Sequence, residues 1–222
     1  MMSLTRNFLF IHVPKTGGSS IQKAILPFSD SKLVSYHPED TPFEDIELFE
    51  IHNLSSGLLP KHSTYDRIRI VLGPETVDPL YKATVTRNPW ERIVSYLCGA
   101  HWDAPERFFT EEGFLDFIAS DFVQPLERYI PFDKVDQFIR FSHLEEDFQV
   151  FCRAIDIAPP PLEHLLKSER QPYPTYYTDR TREAVATRFA QEIERFGYTF
   201  DSAEPTSLEA PAPRPASCSP RP

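Results

Sequence analysis

Two short strand-like segments, each breaking into a polar turn from which a helical stripe departs, constrain this chain more than any other feature. Residues 7–13 (Asn-Phe-Leu-Phe-Ile-His-Val) are aromatic and β-branched and stop at Pro14, as a buried parallel strand does. A helix is expected at residues 21–26, with Ser19 or Ser20 as its cap. Residues 81–86 (Tyr-Lys-Ala-Thr-Val-Thr) read as a second strand. Arg87-Asn88-Pro89 follows it, and Trp90, Ile93, Val94 and Leu97 then recur at helical spacing. Two strand–turn–helix units in one chain predict an α/β domain with a central, mostly parallel sheet flanked by helices.

The rest of the chain fits around those units. Residues 63–72 place Tyr65, Ile68 and Leu72 on one helical face and end at Gly73-Pro74, and further helices are expected at 114–120, 138–156 and 181–196. Residues 31–60 read as loops and short helices. No long-period repeat points to a solenoid. One domain is expected over residues 1–200. Residues 201–222 turn to Ser, Ala, Pro and Glu with almost no large apolar side chain, the composition of a disordered tail.

Charge and cysteine content exclude several function classes. A formal net charge of −10 does not suit a protein that tracks a nucleic acid backbone, so any anion site must be local. Cys98, Cys152 and Cys218 are odd in number and widely spaced, which supports reduced thiols over a disulfide framework or a zinc site. The apolar stretch at residues 8–13 is too short for a membrane span or a secretory core. A cytoplasmic enzyme with no transmembrane segment is the expectation.

Both turns carry chemistry. His12-Val13-Pro14-Lys15-Thr16-Gly17-Gly18-Ser19-Ser20 lies where a strand yields to a helix. Glycines there let the backbone approach an anion, successive N–H groups point at it, and the helix start adds a favourable dipole. Lysine precedes the glycines, whereas the nucleoside-triphosphate loop places lysine after them, so ordinary kinase chemistry is disfavoured. In the second turn, Arg87 leaves a strand end and Ser95 lies two turns along the next helix, so a guanidinium and a hydroxyl can converge on one phosphate. The plainer alternatives are a tight Gly-Gly turn with a surface lysine and a helix start with an exposed arginine.

Taken together, the Pro-Lys-Thr-Gly-Gly-Ser-Ser and Arg-Asn-Pro…Ser segments resemble the 3′-phosphoadenosine 5′-phosphosulfate (PAPS)-dependent sulfotransferase superfamily, in its carbohydrate-type branch, sulfotransferase family 2. The resemblance extends to Lys61-His62-Ser63-Thr64, to residues 138–141 with 144–148, to Tyr173, Tyr176 and Tyr177, and to the closing Phe196-Gly197-Tyr198-Thr199-Phe200. It departs at Ser142-His143 and at Arg170, where relatives tend to carry Glu-Asn and histidine. The resemblance implies a P-loop-like sulfotransferase fold and PAPS as sulfuryl donor, with no metal. It places Lys15, Thr16, Gly17, Gly18, Ser19 and Ser20 on the 5′-phosphosulfate, and Arg87 and Ser95 on the 3′-phosphate. It also implies an acceptor hydroxyl on a saccharide or glycoconjugate, and Tyr173, Tyr176 and Tyr177 in a strap beside the nucleotide.

Sulfuryl transfer needs charge neutralisation at the leaving oxygen and a base for the acceptor proton. Lys15 and His62 are the expected catalytic residues, with His52, His12, Glu50 and Glu91 as rival bases. Glu91 also suits the positive end of its own helix. Trp90 and the cluster Phe108, Phe109, Phe114 and Phe117 read foremost as core, and Glu145-Glu146-Asp147 as a solvated helix face. Two other classes compete: a non-catalytic module binding an adenine nucleotide or 3′-phosphoadenosine 5′-phosphate (PAP), and a small nucleotide-dependent kinase.

Overall fold

The computed structural model of the chain describes residues 1–29, 62–99, 108–163, 170–202 and 205. The loops expected at 31–60, the rival bases Glu50 and His52, and all of the tail except residues 201, 202 and 205 lie outside the described residues.

Four strands form one sheet in the order β1 (Met2–Ser3), β2 (Phe8–Ile11), β3 (Tyr81–Thr86), β4 (Gln137–Arg140). β1 pairs antiparallel with β2, and the other pairs are parallel, with Phe8 opposite Tyr81 and Ala83 opposite Gln137. Eight α-helices are described: α1 (Gly18–Ile25), α2 (Tyr65–Leu72), α3 (Pro74–Val77), α4 (Pro89–Gly99), α5 (Glu111–Ala119), α6 (Leu144–Ala154), α7 (Asp179–Arg188) and α8 (Ala190–Phe196). None is long and apolar enough to cross a membrane.

Strand alternation builds a core on each face. Phe8 and Phe10 of β2, with Tyr81, Ala83 and Val85 of β3, meet Ile21 and Ile25 of α1 and Phe148 and Phe151 of α6. Leu9 and Ile11 turn the other way, toward Ile68 of α2, Ile93 of α4, Phe117 of α5, Val185 of α7 and Phe196 of α8. Both faces of the central strands are therefore buried, which explains why β2 is continuously apolar; β3 alternates instead, with Lys82, Thr84 and Thr86 buried on its second face. The strand ends then open onto the two polar turns from the same edge of a parallel sheet, the place where α/β sheets bind ligands.

Local chemistry sets the helix ends. Thr64 caps α2 by accepting the Arg67 N–H at 3.2 Å, and Gly73, at φ 85°, stops it. Thr110 caps α5, and Thr178 with Thr181 forms a reciprocal capping box at α7.

The structure differs from the sequence reading in four places. The helix expected at 138–156 is a strand followed by α6: Phe138 packs into one core and Ile139 into the other, which only extended backbone allows. The helix expected at 181–196 begins at Asp179 and breaks at Phe189 into α7 and α8. Neither Ser19 nor Ser20 caps α1, because the helix already begins at Gly18 and Gly17 holds the cap position. Asp147 is buried, not solvated. It accepts Arg140 Nε and Nη2 at 2.8 and 2.7 Å and the Arg140 N–H at 2.8 Å, fixing the bend from β4 into α6.

Candidate functional site

The first loop is shaped by backbone conformation. Lys15 and Gly17 are left-handed, at φ 62° and 87°, while Thr16 between them is not. Alternation of this kind turns successive N–H groups toward one side, forming a concave nest for an anion. Thr16 Oγ1 donates to the Val13 carbonyl at 2.9 Å and so braces the nest from within. α1 has no side-chain cap at its start. Gly18 is required by contact, not by φ: a Cβ there would lie 2.5 Å from Cδ2 of the buried His12 ring.

The second loop is built around Arg87, buried at the end of β3. Its Nη1 donates to the Lys15 carbonyl at 2.9 Å and to Ser95 Oγ at 3.3 Å. One side chain therefore ties the two loops together, and the expected convergence of guanidinium and hydroxyl is present. The Arg87 plane lies over the Phe141 ring, 3.8 Å from its centroid. Phe141 also closes on the first loop, since a Cβ at Gly17 would meet its ring at 2.9 Å.

Glu91 occupies the other side of the Arg87 fork. Arg87 Nε and Nη2 donate to its two oxygens at 3.1 and 2.7 Å, and Arg170 Nη2 donates to Oε1 at 3.2 Å. Burial, followed by the nearby Arg87 charge, lowers the Arg170 pKa, and Glu91 opposes that shift. Asn88 orients the helix that carries these groups: its Oδ1 accepts the Trp90 N–H at 3.0 Å, and its Nδ2 donates to the Thr199 and Ser202 carbonyls. Glu91, Ser95 and Gly99 recur at four-residue spacing along one side of α4. Lys15 Nζ lies against Gly99 at the far end, 2.5 Å from where a Cβ would stand. The C-terminal end of a helix favours a cation.

A buried pair supports the first loop from behind. Arg92, fully enclosed, donates through Nε to the Pro14 carbonyl at 3.0 Å and through Nη2 to the Gln124 carbonyl at 2.8 Å. Its Nη1 lies 3.7 Å from Glu192 Oε2, which accepts the Leu126 N–H at 3.0 Å. Burial pushes the Glu192 carboxyl up to about 7, outweighing the attraction of Arg92 and the Leu126 N–H.

His62 Nδ1 lies 2.8 Å from the His12 carbonyl, and the two imidazole rings meet edge to face at 4.7 Å. A carbonyl oxygen only accepts, so Nδ1 carries the proton and, in the neutral ring, Nε2 carries the lone pair. That is the tautomer a general base needs. His12 is a packed residue: its Nδ1 meets Gln22 Oε1 at 2.8 Å.

Lys15, Thr16, Gly17, Gly18, Ser19, Ser20, Arg87 and Ser95 thus lie in and around one loop junction, with His62 hydrogen-bonded to the backbone just before it. Trp90 is structural, buried with Nε1 donating to the Arg182 carbonyl at 3.0 Å. Tyr177 donates to the Trp90 carbonyl at 2.8 Å and Tyr173 to the Phe200 carbonyl, so both tie their segment to the rest of the domain. Phe108, Phe114 and Phe117 are core, and Phe109 is exposed. Among the described residues, no group of three or more His, Cys, Asp or Glu side chains is placed to hold a metal ion. Sequence reasoning missed Arg92 and the Glu91–Arg170 bridge. Comparison with protein-family models, with curated proteins and with solved structures finds no match.

Proposed function

We propose that the chain is a PAPS-dependent sulfotransferase of P-loop-like fold, moving a sulfuryl group onto an acceptor hydroxyl of a carbohydrate or glycoconjugate and releasing PAP. The observation that carries this reading is Arg87, whose Nη1 reaches both the Lys15 carbonyl and the Ser95 hydroxyl. Two anion loops far apart in sequence then act as one site with two anion positions. A nucleotide phosphorylated at both its 3′ and 5′ ends offers two such anions.

The residues divide the work. The nest at Lys15, Thr16, Gly17 and Gly18, with Ser19 and Ser20 in the first turn of α1, takes the 5′-phosphosulfate, while Arg87 and Ser95 take the 3′-phosphate. The acceptor oxygen attacks sulfur in line, and the bond between sulfur and the 5′-phosphate oxygen breaks. PAP leaves with that oxygen, and the acceptor proton passes to Nε2 of His62. The Lys15 ammonium, drawn from the end of α4, neutralises charge building on the leaving oxygen. Neither charge nor proton transfer in this scheme calls on a metal ligand.

The test is calorimetric titration of the protein with PAP and, separately, with adenosine 5′-monophosphate (AMP), which lacks the 3′-phosphate. PAP is expected to bind tighter by at least about tenfold, the effect of one charge-assisted hydrogen bond. Equal affinities, or no binding, would mean that the loops do not form one nucleotide site.

A further inference from the structure

The Arg87–Ser95 half of the site holds a second guanidinium that neither loop supplies. Arg170 enters from the segment before the turn at Tyr173–Tyr176. Its Nη2 donates at 3.2 Å to the same Glu91 oxygen that takes Arg87 Nη2 at 2.7 Å. One carboxylate oxygen therefore lies between two guanidinium groups. Arg170 Nη1 is enclosed and has no hydrogen-bond partner among the described residues.

Such an arrangement is incomplete as a purely structural ion pair. A guanidinium cannot shed its proton and accepts no hydrogen bond, so an enclosed N–H without an acceptor loses its hydration and gains nothing in return. Two guanidinium charges against one carboxylate also leave a formal excess of one positive charge. The mutual repulsion is visible in Arg170, whose pKa is lowered first by burial and then by Arg87. A doubly charged phosphate monoester that displaces the Glu91 carboxylate balances both guanidinium charges and offers Arg170 Nη1 an acceptor, whereas a singly charged group in the same place leaves one charge uncompensated.

We propose that Arg170 is a specificity-determining residue of the nucleotide site, acting with Arg87 to select a doubly charged phosphate monoester that takes the place of the Glu91 carboxylate between them. The inference rests on the sulfotransferase reading above and assigns Arg170 to the 3′-phosphate. Glu91 keeps the two cations neutralised and in position until the ligand arrives. The phosphate oxygens then meet Arg170 Nη1 and Nη2 on one side and the Arg87 fork with Ser95 Oγ on the other. Bidentate guanidinium contacts discriminate by geometry as well as by charge, so lysine is a poor substitute.

The experiment titrates wild type, Arg170→Ala and Arg170→Lys with PAP and with AMP, with thermal unfolding run beside each to confirm folding. Arg170→Ala is expected to lose about 10- to 100-fold in PAP affinity, the range for hydrogen bonds to a charged group, with AMP binding unchanged. Arg170→Lys should fall between wild type and Arg170→Ala, and it decides the matter alone if Arg170→Ala does not fold. A wild-type PAP-to-AMP ratio in either folded variant, or an equal loss for both nucleotides, overturns the role of Arg170 while leaving the sulfotransferase reading standing. If wild type itself shows no preference for PAP, that reading fails and this inference falls with it.

Discussion

Gly18→Ala is the sharpest test of the packing beneath the first loop, because two effects of similar size oppose each other there. Gly18 opens α1 and its φ is not left-handed, so helix propensity alone would make alanine stabilising by up to about 1 kcal/mol. Sterics oppose this: the added Cβ would stand 2.5, 2.9 and 3.3 Å from Cδ2, Nε2 and Cγ of His12. That ring is buried, its Nδ1 is held by Gln22 at 2.8 Å, and the His62 ring packs against it with centroids 4.7 Å apart, so it cannot swing aside without losing contacts. Overpacking of this kind costs about 1–3 kcal/mol, and breaking the Gln22 hydrogen bond adds about 1. The net expectation is destabilisation of about 1–3 kcal/mol, which lowers the unfolding midpoint by roughly 2–4 °C per kcal/mol in a chain of this size. Urea unfolding measures it directly. In a His12→Ala background the same Gly18→Ala change should cost little, since the obstructing ring is gone. If Gly18→Ala equals or exceeds wild-type stability with an unchanged m value, the His12 ring is free to move and the packed role assigned to it is wrong.

Two further predictions address the base and the buried pair. His62→Ala should lower kcat for PAP release in the presence of acceptor by about 10²–10⁴ and leave PAP affinity near wild type; unchanged turnover would remove His62 as the base. Glu192, raised from 4.5 to about 7 by burial, binds its proton more tightly folded than unfolded. Its contribution is therefore complete below about 4.5 and lost as pH rises through about 7, a change on the order of 3 kcal/mol. Urea unfolding of wild type across that window should show falling stability, and Glu192→Gln should flatten the slope; parallel profiles for the two proteins would refute the buried-carboxyl assignment.

The parts of the fold legible in the sequence are those with a local cause. β3 falls where it is expected, to the residue: Tyr81, Ala83 and Val85 alternate with Lys82, Thr84 and Thr86 until the Arg87-Asn88-Pro89 turn. Gly17 and Gly73, both at positive φ, mark turns that other residues adopt only with strain. β4 was misread because Phe138, Phe141, Leu144, Phe148 and Phe151 run on at spacings compatible with one helix, and only pairing with β3 separates the first of them. β1 spans two residues and has no pattern to read. Of the site, Lys15 to Ser20, Arg87 and Ser95 announced themselves by spacing from strand ends. Arg92 and Arg170 did not, since their partners, Pro14, Glu192 and Glu91, lie far off in sequence and any Arg in a helix or loop is presumed solvated.

Under the proposed function, the same contacts would let a chain of net charge −10 hold a polyanionic nucleotide. At physiological ionic strength exposed charges are screened beyond about 8 Å, so the acidic surface acts mainly on the rate of encounter and little on the bound state. The bound state depends on groups removed from solvent. Arg87 and Arg92 are buried, Arg170 is largely so, and each is fixed by backbone carbonyls or by Glu91 before any ligand arrives. Arg87, between β3 and α4, and Arg92, in the first turn of α4, hold adjacent residues of the first loop, Lys15 and Pro14. The nest and the guanidinium fork are therefore not two sites that happen to face each other. They are one arrangement built around the start of α4, in which moving either loop would break the Arg87–Lys15 hydrogen bond, and under the proposed function this preorganisation would let a few local cations outweigh an unfavourable global charge.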